Sequence, residues 1–267
     1  TVFAGGTLSL QDGAINTLTL ANTTAGNNLT VGGPLLSGGF ALDYNATSGL
    51  FDQIAVGQQL LLNAGGGTCI VASENGVING PGKIVLSTAG GDNYADNGVA
   101  SGKTLTINAG ITGVPGFEFW HATYRGTFVL AGQNDFYSNV IMNVGGTISV
   151  GSVGNQGSTT SNLGRGQRVI FASTTANDVP RLLYTGEGED SNRLLDFRGV
   201  GGIVEQAGSG NLKFTSSPIS SGSLIRLQGS TAGTGEIAGL VPGSTALAKA
   251  GTGTWYLSGA NSYSGAT

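Results

Sequence analysis

Apolar and polar residues alternate in short runs along the whole chain. Residues 7–10 (Thr-Leu-Ser-Leu), 17–20 (Thr-Leu-Thr-Leu), 104–107 (Thr-Leu-Thr-Ile), 147–150 (Thr-Ile-Ser-Val) and 211–215 (Asn-Leu-Lys-Phe-Thr) each place every second side chain on one face. That is the period of a strand buried on one side. Runs 83–87 and 224–227 alternate less strictly. Gly, Asn, Ser and Asp separate the runs and supply corners. No stretch carries a sustained 3.6-residue stripe. Runs 60–62, 181–184 and 193–197 are apolar, but nearby glycine and their shortness favour strands over helices. The pattern predicts an all-β chain.

Many short strands suit a sandwich, a barrel or a solenoid. Internal repetition favours the solenoid. Residues 114–134 and 241–261 share eight of 21 positions without a gap, beginning with Val-Pro-Gly in each. The ends also read as halves of one motif. Residues 251–267 followed by residues 1–10 follow the same order as the uninterrupted stretch 126–150. Coils of roughly 20–25 residues are expected, a common length in repeat families. The expected domain is a single β-solenoid over 1–267, one period of a longer array, with pseudo-repeat halves near 1–139 and 140–267. The internal offset is 127 residues, and the return across the junction is 267 − 127 = 140, so the halves are unequal. Opening on Thr1 with no leader pattern, the chain reads as a mature or excised segment.

The pattern at the C-terminus, G-x-G-T-aromatic-x-L-S-G-x-N-x-Y-S-G-x-T, resembles the autotransporter-associated β-strand repeat of Gram-negative passenger regions. The best copy is 251–267, continued by 1–10. A second and more degenerate copy is 126–150, with Ala131 and Ser138 where the repeat has Ser and Gly. The resemblance implies a right-handed parallel β-helix displayed outside the cell, on the bacterial surface, with no catalytic residues. The motif positions are Gly126, Thr127, Leu130, Gly132 and Asn134 in one copy, and Gly253, Thr254, Leu257, Gly259 and Asn261 in the other. The physical reading is a strand, a glycine turn, and an asparagine either inside a coil corner or on an exposed turn.

Composition narrows the partners. The chain has 49 Gly among 267 residues, 10% charged residues and a net charge of −4. Its 11 Lys and Arg are scattered, so nucleic acid and anionic membrane are poor partners. No apolar run approaches a membrane span. The expected partner is the chain itself, end to end, with surface glycans as an alternative.

Sites of chemistry are sparse. His121 is the single histidine and Cys69 the single cysteine, which leaves no zinc ligand set and no nucleophile triad. No catalytic residue, cofactor or metal is expected. Glu187, Glu189, Asp190 and Asp196, with Arg181, Arg193 and Arg198 nearby, are read chiefly as a solvated loop with ion pairing. Paired acids for glycan cleavage or oxygens for calcium are the alternatives. Residues 92–98 form a second oxygen-rich segment, read as a turn. In the aromatic run 117–125, Phe117, Phe119 and His121 share one face, with Glu118, Trp120 and Tyr124 on the other. Trp120 and Tyr124 are the candidate surface contacts, for sugar or a partner. The alternative is a strand covered on both faces. Residues 199–203 are glycine-rich but lack a phosphate-loop lysine. The sequons at Asn22, Asn28 and Asn45 carry no weight in a bacterial protein.

Overall fold

The computed structural model describes residues 2–3, 6–10, 19–20, 29–32, 40–44, 50–54, 59–64, 68–72, 75–88, 94–119, 124–158, 161–222, 224–243 and 245–267. Among them every regular element is a strand, and every printed ladder is parallel. The chain forms a parallel β-solenoid, and it divides into two compact units, Thr1–Ser138 and Asn139–Thr267. The apolar runs 60–62, 181–184 and 193–197 lie in or overlap the strands Gln59–Ala64, Pro180–Tyr184 and Leu194–Phe197.

In the first unit three parallel sheets take every third strand. One holds Val2–Phe3, Leu29–Gly32, Gln59–Ala64, Lys83–Thr88 and Gly110–Gly113. The next holds Gly6–Leu10, Phe40–Tyr44, Thr68–Ala72, Tyr94–Val99 and Gly116–Phe119. The third holds Thr19–Leu20, Leu50–Ile54, Gly76–Asn79, Thr104–Ile107 and Thr127–Leu130. Visiting the sheets in strict rotation is what makes each full turn a rung. Parallel pairing follows, because every strand is reached from the same direction.

Alternation becomes stacked columns inside. Ile78, Ile107 and Leu130 lie in register on successive rungs, all fully buried. Leu105 sits under Phe128, and Ile84 under Ile111. Phe128 also meets Phe117 and Phe119 edge-on, at 5.2 and 5.1 Å. Each such side chain contributes about 1.5–3 kcal/mol on burial. A β-bulge interrupts one ladder: Asp96 pairs with Thr68 but Asn97 with Ile70, so Cys69 is the extra residue. The Asn97 carboxamide repairs the ladder there. Its Oδ1 accepts from the Ile70 amide at 3.1 Å, and its Nδ2 donates to the Glu118 carbonyl at 3.1 Å.

The second unit repeats the plan. Its sheets are Val140–Met142, Arg168–Phe171, Leu194–Phe197 and Ile219–Ser220; Gly146–Val150, Pro180–Tyr184, Gly202–Gln206, Leu224–Gln228 and Ala246–Ala250; and Glu189–Ser191, Asn211–Phe214, Thr234–Ile237 and Thr254–Leu257. Ile148, Leu182, Val204 and Leu227 form one buried column. Phe171 and Phe197 form another, stacked at 4.7 Å with their rings 7° from parallel. Parallel in-register pairing imposes that face-to-face offset geometry, which isolated rings share with edge contacts.

Rung length departs from the expected range where the chain makes an excursion. Ile107 to Leu130 is 130 − 107 = 23 residues and Ile237 to Leu257 is 20, but Ile148 to Leu182 is 34. The surplus lies in residues 151–167. That segment spans 17 residues, where one turn later the corresponding path from Tyr184 to Leu194 takes nine, residues 185–193.

Candidate functional site

The two copies of the repeat motif each occupy one rung and make matching bonds to the rung before. In the first copy, Thr127 opens a strand whose Phe128 and Leu130 point inward, both fully buried. The Ala131 and Gly132 amides donate to the Ile107 carbonyl at 2.9 and 3.1 Å. Gly132 passes so close to the preceding turn that a Cβ would lie 2.2 Å from the Ala109 carbonyl oxygen, so only glycine fits. Asn134 follows, 1% exposed, and its Oδ1 accepts from the Ile111 amide at 2.7 Å. The Asp135 amide then donates to the Ile111 carbonyl at 2.9 Å.

The C-terminal copy reproduces this path. The Gly253 amide donates to the Gly229 carbonyl, and Thr254–Leu257 forms the strand. The Ser258 amide donates to the Ile237 carbonyl. A Cβ on Gly259 would stand 2.4 Å from the Gly239 carbonyl oxygen. Asn261 Oδ1 accepts from the Val241 amide at 2.9 Å, while its Nδ2 donates to the Leu257 carbonyl at 3.2 Å. The Ser262 amide donates to the Val241 carbonyl. Of the two readings of the asparagines, the structure places both carboxamides inward, bridging successive rungs. Thr254 is exposed, and Leu257 is half-buried.

This geometry corrects one feature of the repeat. Asn134 bonds Ile111 and Asn261 bonds Val241, so Ile111, Thr112 and Gly113 correspond to Val241, Pro242 and Gly243. The amides of Tyr137 and Ser264 donate to Gly113 and Gly243, and both glycines have positive φ. The Val-Pro-Gly at 114–116 is therefore three residues out of phase. Val114 is 81% exposed whereas Val241 is 1% exposed. The ungapped alignment failed there because the first copy's rung is three residues longer.

The acidic cluster is a structural ion network. Glu189 and Asp190 lie in a strand, not in a solvated loop. Asp196, 1% exposed, accepts from Arg198 Nη2 at 2.7 Å and Arg168 Nη1 at 3.1 Å. Glu189 accepts the amides of Val153 and Gly154 at 2.5 and 2.9 Å. Arg193 is fully buried and donates to the carbonyls of Gly164 at 2.8 Å, Leu163 at 3.2 Å and Asn155 at 3.3 Å, to Ser161 Oγ at 3.4 Å, and to the Gly166 carbonyl. Burial pushes its guanidinium down to about 10, and the Glu189 carboxylate opposes that shift. Sequence reasoning missed this role of Arg193, because its oxygen partners are backbone carbonyls with no residue signature. Among the described residues, no group of three or more His, Cys, Asp or Glu is placed to hold a metal ion.

Of the aromatic run, Gly116–Phe119 is buried on both faces, and Phe117 also lies 6.3 Å from Phe136. Tyr124 is half-buried before the strand Thr127–Leu130. Trp120, His121, the turn at 91–93 and the three sequon asparagines lie outside the described residues, as does the Cys69 side chain. Asp96 and Asn97 fall in the strand Tyr94–Val99, not in a turn.

Residues 247–267 match the family model of the passenger-associated-transport-repeat. No curated protein and no solved structure matches the chain. The matched segment is one rung of the solenoid. It begins at Leu247, whose amide donates to the Ala266 carbonyl at 2.8 Å, one turn later. The chain thus carries an autotransporter passenger repeat on a β-solenoid.

Proposed function

We propose that this chain is a non-catalytic structural unit of a secreted or surface-displayed autotransporter-type passenger, a stalk or fibre that lengthens by adding rungs. The observation carrying this reading is the bond from the Leu247 amide to the Ala266 carbonyl, within the matched repeat. It supports a rung that already receives the strand of the next turn. The interior of that rung is built for a neighbour. Trp255 lies across Gly235 and donates from Nε1 to the Gln228 carbonyl at 2.9 Å, yet both Trp255 and Leu257 stay half-buried. Their column mates Leu212, Phe214 and Ile237 are fully buried or nearly so. Rung-on-rung stacking stabilises by nearest-neighbour terms, so continuation adds strength without a new fold.

The chemistry of such a unit is mechanical. Backbone ladders run along the stacking direction, apolar columns exclude water, and asparagine carboxamides tie the corners. The pseudo-repeat halves and end-to-end continuation are part of this proposal. A tandem fusion of two copies tests it by the accessibility of Trp255 to acrylamide. The expected result is loss of quenching at the internal Trp255, with the terminal copy unchanged and the β signal per residue preserved. Equal quenching of both copies overturns continuation. Electron micrographs of the tandem chain should show rods about twice the single-copy length.

A further inference from the structure

Residues 151–167 stand where a strand belongs. Between Pro180–Tyr184 and Leu194–Phe197 the chain lays down the strand Glu189–Ser191; one turn earlier, between Gly146–Val150 and Arg168–Phe171, it lays down this excursion instead. Glu189–Ser191 is consequently the first strand of its sheet and pairs with Asn211–Phe214 on one side. On its other side it meets residues 153–156, and the contacts run through side chains. Glu189 accepts the Val153 and Gly154 amides, Ser191 Oγ donates to the Gly154 carbonyl at 2.6 Å, the Asn192 amide donates to Asn155 Oδ1 at 2.8 Å, and the Gln156 amide to Asn192 Oδ1 at 2.9 Å. Further along, the guanidinium of Arg193 gathers oxygens from residues 155 to 166.

We propose that residues 151–167 are a detachable guard over the Glu189–Ser191 edge, latched by Glu189 at one end and Arg193 at the other, which keeps that edge from pairing with a strand of a second copy of this chain. An uncovered parallel edge templates association, and covering it with a loop is one of the established remedies. A loop held by side chains detaches without breaking a rung, because the rung ladders on either side, Val150 with Tyr184 and Arg168 with Leu194, do not pass through it. The second copy is the fitting occupant. The strands that succeed Glu189–Ser191 are parallel repeats of one plan, so another copy presents strands of matching direction and spacing. The latch is internal to the chain: Val153, Ser161 and Leu163 are fully buried beneath the segment, and Asn155, Gln156 and Gly157 form its exposed tip.

Trypsin reads the guard directly, because Arg165 lies inside it. In the wild-type chain the Arg165–Gly166 bond is expected to resist cleavage. In Arg193→Met it is expected to be cut on the order of ten-fold faster or more, since cleavage follows the population of the open form. Glu189→Gln, which keeps the shape and weakens the other latch, should show a smaller rise. Both variants should keep their far-UV β signal, and Arg193→Met should form dimers or larger species in analytical ultracentrifugation at concentrations where wild type does not. Unchanged cleavage in both variants overturns the latch. Faster cleavage without association overturns the guard role. Loss of the β signal in both variants shows the segment to be part of the scaffold and overturns the proposal.

Discussion

Replacing Asn134 with Ala isolates the corner device of the repeat. Asn134 is 1% exposed and Ile111, whose amide it accepts at 2.7 Å, is fully buried. Alanine leaves that amide inside the solenoid without its acceptor. An unsatisfied buried donor costs about 1–3 kcal/mol, more than the net value of an average hydrogen bond. Chemical denaturation should show that loss, and a thermal melt should fall by about 2–4 °C per kcal/mol for a unit of this size. Hydrogen exchange localises the effect: the Ile111 amide should exchange faster while amides several rungs away keep their protection, as nearest-neighbour stability requires. Asn261→Ala is the internal control. The same bond exists there at 2.9 Å, but Asn261 is half-buried, so water can replace the carboxamide and the loss should be smaller. The corner argument is refuted if Asn134→Ala lies within about 0.5 kcal/mol of wild type, the range of an ordinary surface change.

Three further outcomes are expected. Phe197→Ala should cost about 3–5 kcal/mol in denaturant, since the ring is fully buried and stacked on Phe171, and a loss below about 1 kcal/mol would contradict the packed column. Gly132→Ala should destabilise by about 1–3 kcal/mol, because its methyl would meet the Ala109 carbonyl, a backbone atom that cannot rotate away; a stability gain from reduced chain entropy would show the close approach to be absent. Burial holds the Tyr184 hydroxyl above its ordinary range, with Glu189 and Glu187 adding to the rise and the Gly188 amide opposing it. The unfolded chain then releases this proton first, so stability should fall as pH rises beyond about 10, and Tyr184→Phe should flatten that slope in denaturation series at alkaline pH.

Runs such as 104–107 and 147–150 announced their strands because period two is local, and solenoid strands bury one face each. The motif glycines and asparagines were legible for a related reason. Their constraints, a close backbone approach and a buried corner amide, admit few residue types. The Val-Pro-Gly match misled, since a three-residue difference in rung length shifts phase without disturbing the downstream motif. Arg193 went unread for another reason: its oxygen partners, spread over residues 155–166, are chiefly main-chain carbonyls 27 to 38 positions away. Sequence by itself therefore determined the strand texture, the parallel stacking and the identity of the repeat at the C-terminal rung, because each depends on short-range pattern. Tertiary structure alone decided rung phase, the bulge at Cys69, and the use of the acidic cluster as a latch instead of a site. Those depend on which backbone groups meet across a turn, and main-chain atoms leave no mark on the order of side chains.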